Sequence, residues 1–180
     1  MNKAALQRPL RGEPIALDLV NTEWNEAGQR QDLLLADEGL AVWLAEQGMP
    51  WPASPENVRQ ALAAARAAIR QCLETDDGNP EALEALNAIL ARGRVIPVMR
   101  GAGPDEAIEV QEHWRAAWLA ARGYLDLRAR WPRERIRACA HPDCILYFLD
   151  ATRSGTRRWC DMRTCGNRAK ARRYHHRHGR

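Results

Sequence analysis

The chain has 180 residues, 46% of them apolar, and carries 27 Lys/Arg against 23 Asp/Glu. That apolar share supports a buried core and excludes a disordered polymer. No apolar run approaches 18 residues, which excludes a membrane-spanning helix. The charge is unevenly divided: residues 151–180 hold ten Lys/Arg and one acid, whereas 1–150 hold seventeen and twenty-two. A mildly acidic body with a concentrated basic end is the electrostatic outline of a nucleic-acid binder. The start, Met1 to Pro9, is charged and has no apolar h-region, so no secretory signal is expected and a cytoplasmic location is.

Residues 13–22 form a short apolar run that fits either a strand or a helical turn. A polar loop follows. Leu40, Trp43 and Leu44 are spaced i, i+3, i+4 behind Asp37 and Glu38, which predicts a helix ended by Gly48. Ser54 as N-cap and Pro55 at the first position open the clearest helix. Its buried face runs through Val58, Leu62, Ala65, Ile69 and Leu73. Residues 76–80 then turn the chain into an antiparallel helix marked by Leu83, Leu86 and Leu90.

Residues 94–99 and 107–110 flank Gly101-Ala102-Gly103-Pro104, predicting a β-hairpin with Pro97 on an edge strand. A long helix over about 112–130 places Trp114, Trp118, Ala121 and Leu125 on one face until Trp131-Pro132 breaks it. Pro132 is the expected boundary between domains over 1–132 and 133–180.

Four of the five cysteines lie in the last quarter as two pairs, Cys139-x4-Cys144 and Cys160-x4-Cys165, fifteen residues apart. Two such pairs supply the four sulfur ligands of a tetrahedral zinc ion. A closed set of four thiolates leaves no open position, so the metal would build structure and do no chemistry. Cytosolic reduction disfavours disulfides, and the spacing differs from that of thioredoxin-like redox pairs. His141 lies inside the first pair, and Cys72 fits a small core residue. Residues 145–150 read as a strand, Ser154-Gly155 as a turn and 157–160 as the returning strand, with a helix after Cys165. This order of knuckle, hairpin and helix is treble-clef topology, in a segment too small to fold without a metal staple.

Arg157 and Arg158 precede the third cysteine. Arg168, Lys170, Arg172, Arg173 and Arg177 follow the fourth, so two segments would share one positive surface for phosphates. Asn167 is expected to cap the helix and Trp159 to pack near the metal. Tyr174, His175, His176 and His178 either stack on bases or face solvent. Asn21 and Thr22 either line a small-ligand pocket or cap the next element, and Asp32 is expected to bond nearby backbone. No Ser/His/Asp set, phosphate-cradling loop or HExxH helix stands out, so no enzyme is expected.

Cys-x4-Cys, Phe148-Leu149-Asp150 and Arg157-Arg158-Trp159-Cys160-Asp161-Met162-x-x-Cys165-Gly166-Asn167-Arg168 closely resemble the CGNR zinc finger over about 139–177. Leu17-Asp18-Leu19-Val20-Asn21-Thr22, Asp32-Leu33-Leu34 and Leu40 with Trp43-Leu44 resemble the ABATE domain that commonly precedes it. The resemblance implies a two-domain bacterial protein of a family of proposed stress-induced transcription regulators, with an α+β N-terminal domain for an unidentified small ligand. The expectation is thus an α+β fold: a mostly helical domain with a small β-hairpin, then a treble-clef finger holding one zinc. DNA is the expected partner, with an RNA-binding or ribosome-associated accessory as the alternative.

Overall fold

The apolar run near the N-terminus is a helix, α1 (Ile15–Val20), buried from every side: Ala16, Leu17, Leu19 and Val20 are all 0% exposed. The computed structural model describes residues 8–178, with the side chains of Arg173 and residues 175–178 outside the description. Asp18 lies inside this core and is fully engaged. It accepts from Trp43 Nε1 at 3.0 Å, Gln47 Nε2 at 3.1 Å and the Gly12 amide at 3.1 Å, and pairs with Arg8 at 2.8 Å. A buried carboxylate is tolerable only with such a complete set of partners.

The polar stretch after α1 is an antiparallel ribbon, β1 (Glu23–Glu26) with β2 (Gln29–Asp32), where a loop was expected. Asp32 then accepts the Leu34 amide at 2.9 Å, as anticipated, and opens a short 3₁₀ turn over Leu33–Leu35. α2 (Asp37–Glu46) follows, and its Gly39 is forced by close approach: a Cβ there would lie 1.8 Å from the Leu33 carbonyl oxygen. Gly48, at φ 68°, ends α2 with Gly48 and Met49 amides donating to the Ala45 and Leu44 carbonyls. That pair of bonds is a Schellman cap.

α3 (Pro55–Glu74) buries Val58, Leu62, Ala65, Ile69 and Cys72, while Leu73 is only partly covered. Ser54 sits at its N-cap position without making a side-chain cap bond. α4 (Pro80–Leu90) buries Ala82, Leu86 and Ile89; Leu83, expected on that face, is 44% exposed. The predicted hairpin is β3 (Gly93–Arg100) with β4 (Gly103–Val110), Pro97 facing Glu106 across it. None of its residues is fully buried, so it stands out as a ribbon. α5 (Arg115–Arg130) packs Ala117, Ala120 and Ala121 against the core and leaves Leu125 46% exposed. A Cβ on its Gly123 would come 2.4 Å from Ile15 Cγ2, so α1 crosses α5 there.

Beyond Pro132, β5 (Ile136–Ala138) pairs with β6 (Tyr147–Leu149), and α6 (Asn167–His178) closes the chain. The expected pairing of 145–150 with 157–160 is replaced. β6 pairs with β5 upstream of the first cysteine, and the later segment attaches through the Ala140 amide to the Arg158 carbonyl at 2.9 Å. Apolar packing runs past Pro132, since Ile136, Leu146, Tyr147 and Phe148 join the same buried cluster as α1 and α3. The result is an α+β fold, mostly helical with small antiparallel sheets.

Candidate metal centre and basic surface

β5 and β6 hold the first cysteine pair between them. Cys139 leaves β5 and its amide donates to the Leu146 carbonyl at 2.9 Å; the Cys144 amide donates to the His141 carbonyl at 2.9 Å. His141 is buried within this knuckle, where its Nδ1 accepts the Asp143 amide at 3.3 Å. Of the second pair, Cys160 precedes and Cys165 lies within a π-helical turn over Met162–Gly166, capped by Asp161, whose Oδ1 accepts the Arg163 and Thr164 amides at 2.7 and 3.0 Å. That turn leads directly into α6.

The four sulfurs of Cys139, Cys144, Cys160 and Cys165 lie within 4.8 Å of one another. Cys144 and Cys160 sulfurs are 3.8 Å apart, and Cys160 and Cys165 sulfurs 3.6 Å. Four sulfurs at about 2.3 Å from a common tetrahedral centre would be separated by about 3.8 Å, so the cluster fits one zinc ion. All are free thiols, not disulfides, and only Cys144 is partly exposed. The Cys160 amide donates to Cys139 Sγ at 3.4 Å, the kind of bond that stabilises a thiolate ligand.

Without a shared cation the sulfurs oppose one another. Hydrogen bonding with Cys139 pushes the Cys144 thiol up to about 12, and Cys160 is pushed up by bonds to Cys139 and then Cys144. Cys139 is correspondingly lowered by its bonds from Cys144 and Cys160. A divalent ion at the centre is what lets all four deprotonate together.

The basic side chains divide into two groups. Arg157 is built into the fold. It donates to the Trp159 carbonyl at 3.0 Å, the Leu149 carbonyl at 3.3 Å and the Cys160 carbonyl, and stacks 4.2 Å over the Phe148 ring. Its other neighbour is Glu13 at 3.6 Å. Expected on the polyanion-facing surface, it braces the metal loop and, half-buried, also lines the groove beside the knuckle. Arg158 is exposed, stacked 5.3 Å over the Trp159 ring, and has no carboxylate partner among the described residues. Arg168, Lys170 and Arg172 are exposed on α6 and likewise unpaired among the described residues. Arg173 and Arg177 continue the same helix, but their side chains lie outside the described residues.

Arg133 and Arg137, not singled out from the sequence, join Arg157 and Arg158 along an open groove of about 570 Å³ beside the knuckle, with Glu134 as its one acidic lining residue. Both are partly engaged: Arg133 donates to the last carbonyls of α3, and Arg137 to the Arg157 carbonyl at 3.1 Å. Their alternation with Arg135 in Arg133-Glu134-Arg135-Ile136-Arg137 was the available signal. Asn167 does not cap α6; its Nδ2 donates back to the Arg163 carbonyl at 3.2 Å.

Asn21 and Thr22 are buried, at 1% and 0% exposure, and line neither this groove nor the cavity between α4 and α5. Thr22 Oγ1 donates to the Leu19 carbonyl at 2.7 Å and accepts from Arg66 at 2.8 Å. Asn21 bonds the Tyr147 backbone. Their polar atoms are therefore used within the fold.

No helix among the described residues is long and apolar enough to cross a membrane. No curated protein matches the chain. The CGNR zinc finger model matches residues 135–178. The ABATE model, described as "Putative stress-induced transcription regulator", matches residues 13–131, which is more than half of the chain. The chain therefore belongs to the ABATE family and carries a CGNR zinc finger at its C-terminal end.

Proposed function

We propose that this protein is a non-enzymatic transcription regulator. A zinc-built finger of treble-clef type would bind DNA, and the N-terminal domain would sense a small ligand. The observation that carries this reading is the origin of α6. The helix begins two residues after Cys165 and exposes Arg168, Lys170 and Arg172 with no carboxylate partner among the described residues. A metal that fixes the root of a basic helix fixes the geometry in which its charges meet phosphates. Arg158 and the neighbouring groove extend that surface to a second segment. The family placement supports the regulatory role, and four saturating thiolates leave the metal no open position for catalysis.

The test is fluorescence anisotropy of zinc-loaded protein on duplex DNA over a range of salt. With four to six phosphates neutralised, log K should fall against log salt with a slope of roughly −4 to −5. Chelation of the zinc should abolish the binding. A flat salt response would reject the reading. Preference for structured RNA in a competition at matched salt would replace DNA with RNA as the partner.

A further inference from the structure

β5 is laddered on one edge only. Arg137 pairs with Phe148 of β6. On either side, the Asp150 amide donates to the Arg135 carbonyl at 2.7 Å and the Cys139 amide to the Leu146 carbonyl at 2.9 Å. Residues 135, 137 and 139 therefore bond toward β6, and the alternation of an antiparallel ladder turns the Ala138 amide and carbonyl the other way. Tyr147, opposite Ala138, correspondingly uses its own amide and carbonyl on Asn21. The Ala140 amide, on the same edge as that of Ala138, donates to the Arg158 carbonyl at 2.9 Å. The open edge of β5 thus faces residues 157–158 across the groove of about 570 Å³. Ala138 is exposed there, with no side chain beyond Cβ to cover its amide.

Four arginines line this groove against one acid, Glu134. Arg133 pairs with Asp77, and Arg157 lies near Glu13. Arg158 is exposed without a carboxylate partner among the described residues. Arg137 is held by carbonyls: its Nε donates to that of Glu134 at 2.8 Å and Nη1 to that of Arg157 at 3.1 Å. Asp150 Oδ2 approaches it only to 4.0 Å and already accepts the Arg157 amide at 2.9 Å. Carbonyls orient a guanidinium without cancelling its charge, so Arg137 and Arg158 carry the charge left for a ligand.

The positive track continues past the groove. Arg158 stacks 5.3 Å over the Trp159 ring, and a Cβ on Gly166 would lie 3.4 Å from Trp159 Cδ1. Trp159 therefore packs at the foot of α6, where Arg168 is exposed. Charge spread from a strand edge to a helix suits a chain of anions better than one compact anion.

We propose that this groove seats a backbone phosphate of DNA, with the Ala138 amide and the Arg137 and Arg158 guanidinium groups as its donors. Backbone amides and guanidinium groups are the usual partners of such phosphates. The proposal rests on the DNA-binding half of the reading above and adds a second contact region to α6. That region begins upstream of the first cysteine, on a strand whose Ile136 shares the buried cluster of α1 and α3. Glu134, exposed and without a side-chain bond among the described residues, opposes the phosphate.

The test is fluorescence anisotropy of the full zinc-loaded chain on duplex DNA over a range of salt. Arg137→Ala should weaken binding and reduce the salt slope by about 1. It also removes the bond to the Arg157 carbonyl, so Glu134→Gln serves as a variant that breaks no contact. Glu134→Gln should strengthen binding by about two- to fivefold at low salt, the size of one exposed charge interaction, and the gain should shrink as salt rises. Adenosine monophosphate is the probe for a small phosphorylated ligand, and it should neither raise the melting temperature nor displace the DNA. If wild type binds DNA with a steep salt slope and either variant leaves affinity and slope unchanged, the groove holds no phosphate and DNA contact through α6 stands. Stabilisation by adenosine monophosphate that is lost in Arg137→Ala would assign the groove to a small ligand and overturn the proposal. Wild type without salt-sensitive DNA binding would overturn both readings, so the two failures are distinguishable.

Discussion

Asn21 and Tyr147, 126 residues apart in sequence, are joined by two hydrogen bonds: Asn21 Nδ2 donates to the Tyr147 carbonyl at 2.8 Å, and the Tyr147 amide donates to Asn21 Oδ1 at 2.9 Å. The side-chain amide thus acts as a short piece of neighbouring strand on the free edge of β6. Glu13 accepts the Leu149 amide at 2.9 Å further along that edge, and Asn25 donates to the Asp143 carbonyl in the knuckle at 3.1 Å. The metal-bearing end is therefore docked onto the N-terminal domain by backbone contacts. It does not hang from a linker at Pro132.

Asn21→Ala should test that docking. It leaves a buried donor and a buried acceptor unpartnered, at about 1–3 kcal/mol each, so a loss of about 2–5 kcal/mol is expected in urea unfolding at zinc saturation. Amide exchange at Tyr147 should accelerate. An unchanged urea midpoint would show that the edge bonds contribute nothing net.

Glu13 supplies a pH-dependent test. Burial raises its pKa above the usual 4.5, against the lowering effects of the Leu149 amide and Arg157, while Asp18 adds to the rise. A raised folded pKa means the folded state holds the proton more tightly than the unfolded chain. The stabilisation is complete below about 4.5 and is lost as pH rises through the folded value. Glu13→Gln keeps an acceptor for Leu149 without the buried charge. Relative to wild type it should gain stability between pH 5 and pH 7.5, as the wild-type carboxyl loses its proton. Thiol protonation is common to both proteins and cancels in the difference. A wild-type-minus-variant difference that stays constant across that range would refute the cause assigned here.

Much of this was legible in residue patterns, and the omissions have physical reasons. The four-sulfur cluster follows from cysteine spacing because tight loops fix where thiols can meet. α3, α4 and α5 follow from helical period. Period, however, reports which face is apolar and not whether a neighbour covers it, which is why Leu83 and Leu125 were misplaced. Asn21 reads from sequence as a ligand contact or a cap, because its partner is a backbone segment 126 residues away in the chain. Arg157 and Arg158 are adjacent and chemically identical, so only the fold separates the one that grips carbonyls from the one left exposed. The β1–β2 ribbon carries no apolar alternation, since Glu23-Trp24-Asn25-Glu26 buries only Trp24.

The turn of that ribbon was also unreadable, because Ala27-Gly28 is not a usual hairpin pair. Both residues have positive φ, 49° and 78°, the arrangement of a type I′ turn. Alanine pays a steric penalty there that asparagine largely avoids. Ala27→Asn should therefore stabilise the protein by about 0.5–1 kcal/mol, raising the melting temperature by about 1–4 °C. Calorimetry checks this, and an unchanged or lower melting temperature would argue against strain at Ala27.

Arg157 and Arg158 give the sharpest separation of structure from binding. Arg157→Ala removes the donors to three carbonyls, of Leu149, Trp159 and Cys160, together with the stack on Phe148. It should cost about 2–4 kcal/mol in unfolding. Arg157→Lys retains the charge but lacks the planar fork, so it should recover little of that loss. Arg158→Ala touches only the exposed stack on Trp159, and its stability should stay within about 0.5 kcal/mol of wild type. Its DNA affinity should nevertheless fall, with the salt slope reduced by about 1. The decisive comparison is made at zinc saturation and below the melting temperature of the weaker variant. If Arg157→Lys is as stable as wild type, the guanidinium does not brace the metal loop. If Arg158→Ala leaves the salt slope unchanged, that residue meets no phosphate.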